Sequence, residues 1–308
     1  MPLPEAAREA LEDPEERPDL PDLPDLDVAA LLARAEVLLA SRIPADLPAR
    51  APRLTWIQVT SAGVDHLWQP FLDESEVVLT SARGIHAIPM AEFVLSCLLA
   101  WAKGWPTLLQ QQHQRRWRKV VVEELHGKTL VLLGIGEIGR AVARYAKALG
   151  MSVIGVRRRE TRDGVPPNLD EVVTAGALRT VLPRADYVVN CLPLTPSTRG
   201  LLGTEAFRAM KTSTFFVNVG RGRTVDEAAL IQALRGGWIA GAALDVHATE
   251  PLPAESPLWD LPNVLLSPHS GSVTPVYMER VTNLFCENLH RYLEGRPLLN
   301  LVDPAERY

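Results

Sequence analysis

Three glycines in one short turn constrain this chain more than any other feature of its sequence. Gly134, Gly136 and Gly139 follow an apolar run at residues 129–133 and precede a helical pattern at 140–149. Glycines in a strand–turn–helix unit allow a tight turn, a close approach of the backbone to a bound group, and close packing of helix on strand. Because N–H groups at the start of a helix attract anions, the unit predicts a pyrophosphate site rather than a turn without a ligand.

Short apolar runs alternate with helical or loop segments along most of the chain. Long helices are predicted at 89–103 and 274–294. Strands are predicted at 35–40, 54–59, 77–80, 129–133, 152–156, 187–190, 214–218, 241–245 and 264–266. Strands separated by crossovers imply parallel sheets. We therefore predict an α/β fold with two Rossmann-like parallel-sheet domains, the first completed by the C-terminal helix.

The predicted domain organisation begins with an acidic, proline-rich arm at residues 1–27. This segment has ten acidic residues, two arginines and six prolines, and it is either a poorly ordered terminus or an arm that lies across the chain or a partner. Residues 28–88 and 274–308 form the first domain, and residues 89–273 form the dinucleotide-binding domain.

Composition excludes several classes of protein. With 47% hydrophobic and 22% charged residues in 308, the whole chain is not intrinsically disordered. A net charge of -5 argues against nucleic acid as a partner, and no apolar window is long enough to predict a membrane span. Cys97, Cys191 and Cys286 form neither a CxxC pair nor a metal-ligand spacing, which favours a reducing cytoplasm and predicts no metal.

The residues after the predicted strand at 152–156 bear on the choice of cofactor. They are Arg157, Arg158 and Arg159, where a carboxylate would favour NAD by binding the ribose 2′-hydroxyl. Guanidinium groups bind a 2′-phosphate instead. We therefore predict that NADP (NADPH) is preferred and that NAD is possible; an exposed basic turn is the alternative.

Three polar residues follow predicted strands at the edge of the sheet where ligands bind: Arg221, Glu250 and His269. Singly, they could be a surface ion pair, a turn residue and a helix cap. In a chain with a predicted dinucleotide-binding fold, the three residues together indicate a group that binds an anion, a carboxylate and a titratable acid.

The chain resembles the D-isomer-specific 2-hydroxyacid dehydrogenases, especially the glyoxylate/hydroxypyruvate reductase branch, over about residues 35–300. The motifs that carry the resemblance are 61–65 (SAGVD), 134–139 (GIGEIG), 192–200 (LPLTPSTRG), 218–222 (NVGRG), 243–246 (ALDV), 250–253 (EPLP) and 267–271 (SPHSG). It implies an enzyme that reduces a small 2-keto acid to the D-2-hydroxy acid. The corepressor relatives of this family leave a second class open, a dinucleotide-sensing binding protein with little turnover.

The resemblance also implies roles for residues. His269 would be the general acid/base, Glu250 would orient it, and Arg221 would bind the substrate carboxylate. The substrate-binding residues would be Ala62, Gly63, Val64, Arg221 and His269. The cofactor-binding residues would be Gly134, Gly136, Glu137, Ile138, Gly139, Arg157, Arg158, Arg159, Leu192, Pro193, Thr198, Val219, Gly220, Asp245, Ser270 and Gly271.

Other expectations concern partners and departures from the family pattern. A homodimer through the cofactor domain would bury Trp105 and Trp117, and the helix at 89–103 with the basic segment after it would form the contact. His247 stands where the family usually has an aromatic residue, and His86 stands in a place often taken by Asn. The substrate's side-chain pocket has these candidates: Trp56, His66, Leu67, Trp68 and Tyr277.

Overall fold

The structure, a computed structural model, describes residues 27–158 and 164–304. Within these ranges the strands form two parallel sheets, one of three strands and one of seven. The predicted arm at 1–27 lies outside the described residues except for Asp27, whose carboxylate caps the first helix by accepting a backbone hydrogen bond. Arg159, a predicted cofactor residue, also lies outside the described residues.

The strands of the described residues are β1 (Val37–Ala40), β2 (Trp56–Val59), β3 (Val78–Thr80), β4 (Thr129–Leu133), β5 (Ser152–Arg157), β6 (Glu171–Thr174), β7 (Tyr187–Asn190), β8 (Phe215–Asn218), β9 (Gly241–Leu244) and β10 (Val264–Leu266). The small sheet has the order β1-β2-β3, and the large sheet has the order β10-β9-β8-β7-β4-β5-β6. Every pair of neighbouring strands is parallel.

The α-helices of the same residues are α1 (Val28–Arg34), α2 (Leu47–Arg50), α3 (Phe71–Glu74), α4 (Ala87–Ala102), α5 (Trp105–His113), α6 (Glu137–Ala148), α7 (Leu178–Val181), α8 (Thr204–Ala209), α9 (Glu227–Arg235) and α10 (Tyr277–Leu293). Helices α2, α3, α6, α8 and α9 each connect a strand to a parallel neighbour in the same sheet, as crossovers between parallel strands require.

Helices cover both faces of the large sheet, which explains why its central strands are almost entirely apolar. Phe215 and Phe216 are adjacent in β8, so their side chains point to opposite faces. Phe215 stacks on Trp101 of α4, with ring centroids 4.5 Å apart. Phe216 meets Phe207 of α8 edge-on at 5.6 Å. The core therefore lies in two layers, one on each side of this sheet.

The order in which the chain adds strands to the large sheet reverses at β4. The chain runs from β4 outward to β5 and β6 on one side, and then returns to β7 on the other side. Because the connections after β4 and β7 diverge, they leave a crevice at the carboxyl ends of these strands, where open α/β sheets bind ligands. The glycine turn at 134–139 lies at this point.

The C-terminal helix α10 completes the small sheet. Trp56 of β2 is fully buried and stacks on Phe285 and Tyr292 of α10, both at 5.5 Å between centroids. Asn288 of α10 donates a hydrogen bond to Gln58 (3.0 Å). The predicted fold class is therefore confirmed, but Trp56 was wrongly expected to shape a substrate pocket, because it belongs to this core. The predicted domain boundaries stay a prediction.

The sequence-based bounds agree with the structure at β4, β7 and β10, and most of the other predicted bounds differ from it by one to three residues. Strand β6 was not predicted, because its sequence EVVT is short and only half-buried at the edge of the sheet. Arg157 is the last residue of β5 rather than the first residue after it. Helix α6 begins at Glu137, three residues before the predicted start, because Gly136 is already its extended N-cap residue.

Among the described residues, no single helix is long and apolar enough to cross a membrane. Helices α4 and α5 pass that test of length and composition only as a pair bent by 66°.

Candidate active site

The glycine turn forms one wall of a cleft between the two sheets. Gly134 has φ +92°, a left-handed conformation that favours glycine. A Cβ atom on Gly139 would overlap the carbonyl oxygen of Gly134, so helix and strand could not pack this closely with a larger residue. Residues from the turn that line the cleft are Gly134, Gly136, Glu137, Ile138 and Gly139. The start of α6 thus faces the cleft, where it favours an anion.

The loops after β7 and β8 form the facing wall. A Cβ on Gly220 would come within 2.5 Å of the Leu192 carbonyl oxygen, so these loops touch through a glycine. The cleft residues they contribute are Cys191, Leu192, Pro193, Leu194, Val219, Gly220 and Arg221. Thr198, also a predicted cofactor residue, fixes this wall by donating to the Pro193 carbonyl oxygen (2.6 Å).

Two of the three predicted arginines lie at the end of β5, next to β4. Arg157 is half-buried, and its Nε atom is buried without a hydrogen-bond partner among the described residues. Arg158 follows it and is exposed. A buried guanidinium N–H with no acceptor costs free energy unless a ligand supplies one.

Arg221 reaches from the end of β8 to the loop after β2. Its Nε donates to Asp65 (3.1 Å), and its Nη1 donates to the Gly220 carbonyl oxygen (2.9 Å). Its Nη2 lies so close to Gly63 that a Cβ there would overlap it. The predicted substrate residues Arg221 and Gly63 are therefore in contact, although they come from different sheets.

The loop beside this guanidinium offers free donors. The backbone N–H groups of Ala62, Gly63 and Val64 donate no hydrogen bond to any described residue. All three residues line the cleft together with Arg221. Backbone N–H groups around an arginine form a site suited to a carboxylate.

His269 and Glu250 form a hydrogen-bonded pair next to the cleft. Nδ1 of His269 lies 2.7 Å from Oε2 of Glu250, and the other oxygen of Glu250 accepts from the N–H of His247 (2.9 Å). The hydrogen bond to Glu250 raises the pKa of His269, against the effect of burial. Burial acts to raise the pKa of Glu250, but the hydrogen bonds from His269 and His247 outweigh it and lower that pKa. The pair therefore favours an imidazolium beside a carboxylate.

Asp245 holds the loop that carries His269. Its Oδ1 atom accepts from the hydroxyl of Ser267 (2.7 Å) and from the N–H groups of Ser270 and Gly271 (3.0 Å each). Its Oδ2 atom is buried without a partner among the described residues. Three predicted cofactor residues, Asp245, Ser270 and Gly271, are thus bound to one another, and one carboxylate oxygen stays available.

His247, the second histidine near the site, is packed in the protein interior. His247 is almost fully buried, and its Nε2 lies 3.2 Å from the Ser267 carbonyl oxygen. Through its backbone N–H it positions Glu250.

Asp65 is a site residue to which the sequence analysis gave no role. It directly follows Val64 in the SAGVD motif, and that adjacency was the available signal.

These residues fit a dinucleotide. The glycine turn leaves room for a pyrophosphate at the start of α6. Nε of Arg157, at the end of β5, and Oδ2 of Asp245, directly after β9, are buried and lack partners among the described residues. An ionisable His–Glu pair and an arginine lie beside that crevice. The fold and the site together define a dinucleotide-dependent oxidoreductase.

Comparison with known proteins agrees with this class. Residues 95–271 match the family model described as D-isomer specific 2-hydroxyacid dehydrogenase, NAD binding domain. The chain belongs to the D-isomer-specific 2-hydroxyacid dehydrogenase family, and it is an NAD(P)-dependent oxidoreductase of that family. The resemblance inferred from the sequence motifs is confirmed.

Individual relatives cover most of the chain. A glyoxylate reductase of Aeropyrum pernix is 35% identical over 280 residues, which are 86% of this chain and 81% of the relative. A D-isomer specific 2-hydroxyacid dehydrogenase of Xanthobacter autotrophicus, solved with NADPH and MES, has 35% identity and a TM-score of 0.79, and the match covers 89% of this chain and 85% of that one. An NADPH-dependent glyoxylate/hydroxypyruvate reductase of Sinorhizobium meliloti, solved with NADP and sulfate, has 31% identity, a TM-score of 0.79 and coverage of 89% and 86%.

Proposed function

We propose that this protein reduces a small 2-keto acid, such as glyoxylate or hydroxypyruvate, to the D-2-hydroxy acid and prefers NADPH. The observation that carries the proposal is that Arg221 and the His269–Glu250 pair lie at one edge of a sheet beside the glycine turn. The names of the Aeropyrum pernix and Sinorhizobium meliloti relatives support this substrate class.

The substrate carboxylate binds between the two sheets. Arg221 supplies its Nη2 atom, and the loop after β2 supplies the N–H groups of Ala62, Gly63 and Val64, which have no acceptor among the described residues. These groups are charged or dipolar donors held by the surrounding structure, so they bind the anion without a large cost of reorganisation. Anchored in this way, the keto group lies where His269 can reach it.

His269 supplies the proton. Its Nδ1 atom is engaged by Glu250, and its Nε2 atom makes no hydrogen bond to a described residue, which leaves Nε2 to donate to the keto oxygen. Because Glu250 raises the pKa of His269, the imidazolium form persists closer to neutral pH than in free histidine. Arg221 stabilises the charge that develops on the same oxygen.

A nicotinamide dinucleotide, when bound, supplies the hydride. Arg157 and Arg158 contact the 2′-phosphate in this proposal, which the unpartnered Nε of Arg157 supports. Two similar solved structures are described with NADPH or NADP, which also supports the preference. For the other residues predicted to bind the cofactor, we propose the binding role that the family motifs imply.

We also propose that the protein is a cytoplasmic homodimer. Trp105 is 51% exposed and Trp117 is fully exposed, and Val121 and Val122 beside them are exposed as well. Tryptophan is enriched in protein interfaces, so a partner subunit is a suitable cover for this surface. Light scattering at micromolar concentration tests the dimer, and a monomer would contradict it.

The activity is tested with steady-state rates for a panel of 2-keto acids with NADPH and with NADH. The wild-type protein should turn over at least one small 2-keto acid, and His269→Ala should lower kcat/KM by about 100-fold or more. His290→Ala removes an exposed histidine on α10 and serves as the matched control. Binding of NADPH without turnover of any keto acid would overturn the proposal in favour of a dinucleotide-sensing binding protein.

A further inference from the structure

The cleft contains a histidine that the proposed chemistry does not use. His86 is the N-cap residue of α4, and it lines the same cleft as Gly63 and Arg221. Arg221 and His269 both act electrostatically on its ring, so it lies near the place proposed for the substrate.

The ring of His86 is held in place by the C-terminal helix. It stacks on Tyr277 of α10, with centroids 5.4 Å apart and an angle of 19° between the planes. The Tyr277 hydroxyl donates to the Thr60 carbonyl oxygen (2.6 Å), and Arg280 donates to the Ile85 carbonyl oxygen (3.3 Å). The ring nitrogens of His86 make no hydrogen bond to any described residue. The ring is therefore positioned, and its polar atoms stay available.

His86 differs from His269 in its protonation. Burial, together with the positive charges of Arg280, His269 and Arg221, lowers the pKa of His86 to about 4. The ring is consequently neutral near pH 7, with one nitrogen that donates and one that accepts. Such a ring cannot replace His269 as the acid, but it suits a hydroxyl group, which both donates and accepts.

We propose that His86 determines substrate specificity by hydrogen-bonding a hydroxyl group on C3 of the 2-keto acid. This role of His86 depends on the function proposed above. A keto acid anchored by its carboxylate at Arg221 and by its keto oxygen at His269 has only its C3 substituent left for the remaining cleft wall, where His86 lies. The protein then favours a 3-hydroxy-2-keto acid over the same acid without that hydroxyl.

Hydroxypyruvate and pyruvate differ only in that hydroxyl, so they are the matched substrates. The wild-type protein should have a kcat/KM for hydroxypyruvate about three- to tenfold above that for pyruvate, as one hydrogen bond gives. His86→Phe keeps the stacking on Tyr277 but removes both ring nitrogens, and it should reduce this ratio to about one. His86→Asn should restore part of the preference, and His290→Phe should leave the ratio unchanged.

The outcomes separate this inference from the function on which it rests. If the wild-type protein reduces no 2-keto acid, the proposed function fails. If it reduces both substrates but shows no preference for hydroxypyruvate, only the role of His86 is overturned, and this result needs no variant to fold. A His86→Phe variant that loses activity on both substrates equally would also overturn it.

Discussion

Arg221 and Asp65 form an ion pair across the cleft, with 3.1 Å between Nε and Oδ1, although they are 156 residues apart in the sequence. The pair joins the end of β8 in the large sheet to the loop after β2 in the small sheet. With Nε held by Asp65 and Nη1 held by the Gly220 carbonyl oxygen, the guanidinium presents Nη2 beside Gly63. The orientation of the proposed carboxylate anchor is therefore set from both sides of the cleft.

Gly63→Ala should disable this anchor without unfolding the protein. The new Cβ would overlap Nη2 of Arg221, so the guanidinium has to move away from the site. We expect kcat/KM for the keto acid to fall by about 100-fold, as for the loss of one preorganised donor. Gly176→Ala is the control, because its nearest neighbour is a Thr174 hydroxyl at 3.9 Å. Equal activity of the two variants would contradict the placement of Arg221.

Asp65→Ala should affect substrate binding more than the chemical step. Without its partner, Arg221 is less well oriented for the carboxylate, and we expect KM to rise about three- to tenfold with a smaller change in kcat. The pair is partly exposed, so its loss should lower the melting temperature by less than about 4 °C. Asp65→Asn keeps an oxygen that can accept from Nε of Arg221, so its KM should lie between the KM of the wild-type protein and that of Asp65→Ala. A large loss of kcat with unchanged KM would argue against a positioning role.

Glu250→Gln should move the pH dependence of keto acid reduction to lower pH. The reduction needs protonated His269, so kcat/KM falls as the pH rises through the pKa of that imidazole. Glu250 raises this pKa, and its removal therefore lowers it. The variant should lose more activity at about pH 8 than at about pH 6. Profiles of kcat/KM for both proteins check this, and a descending limb at the same pH in both would refute it.

The large sheet was predictable because each central strand is one uninterrupted apolar run. The predicted bounds of β4, β7 and β10 agree with the structure, because the apolar run of each strand stops at a clear signal. Gly134 follows β4, the polar Asn190 ends β7, and Ser267 follows β10. Strand β6 lacks this signal, because an edge strand needs fewer buried residues. Local sequence therefore specifies buried elements better than edge elements.

The contacts between the sheets could not be read from the sequence. Nothing local to Asp65 indicates that it meets Arg221, because that contact depends on how the two sheets lie against each other. Trp56 is a large aromatic residue of the kind that often lines a ligand pocket, but Phe285 and Tyr292 of α10 cover it. The stacking of His86 on Tyr277 likewise joins residues 191 apart, and only the fold brings them together.

Replacing Arg157 and Arg158 with alanine should change the choice of cofactor. Charge-assisted hydrogen bonds to a 2′-phosphate are lost with both guanidinium groups, so we expect the KM for NADPH to rise about tenfold or more. NADH has no 2′-phosphate, so its KM should change by less than about twofold. The double variant Arg179→Ala/Arg235→Ala removes the same charge from exposed positions on α7 and α9 and controls for the general electrostatic field. Equal increases in the KM of both cofactors would exclude the two arginines as the basis of an NADPH preference.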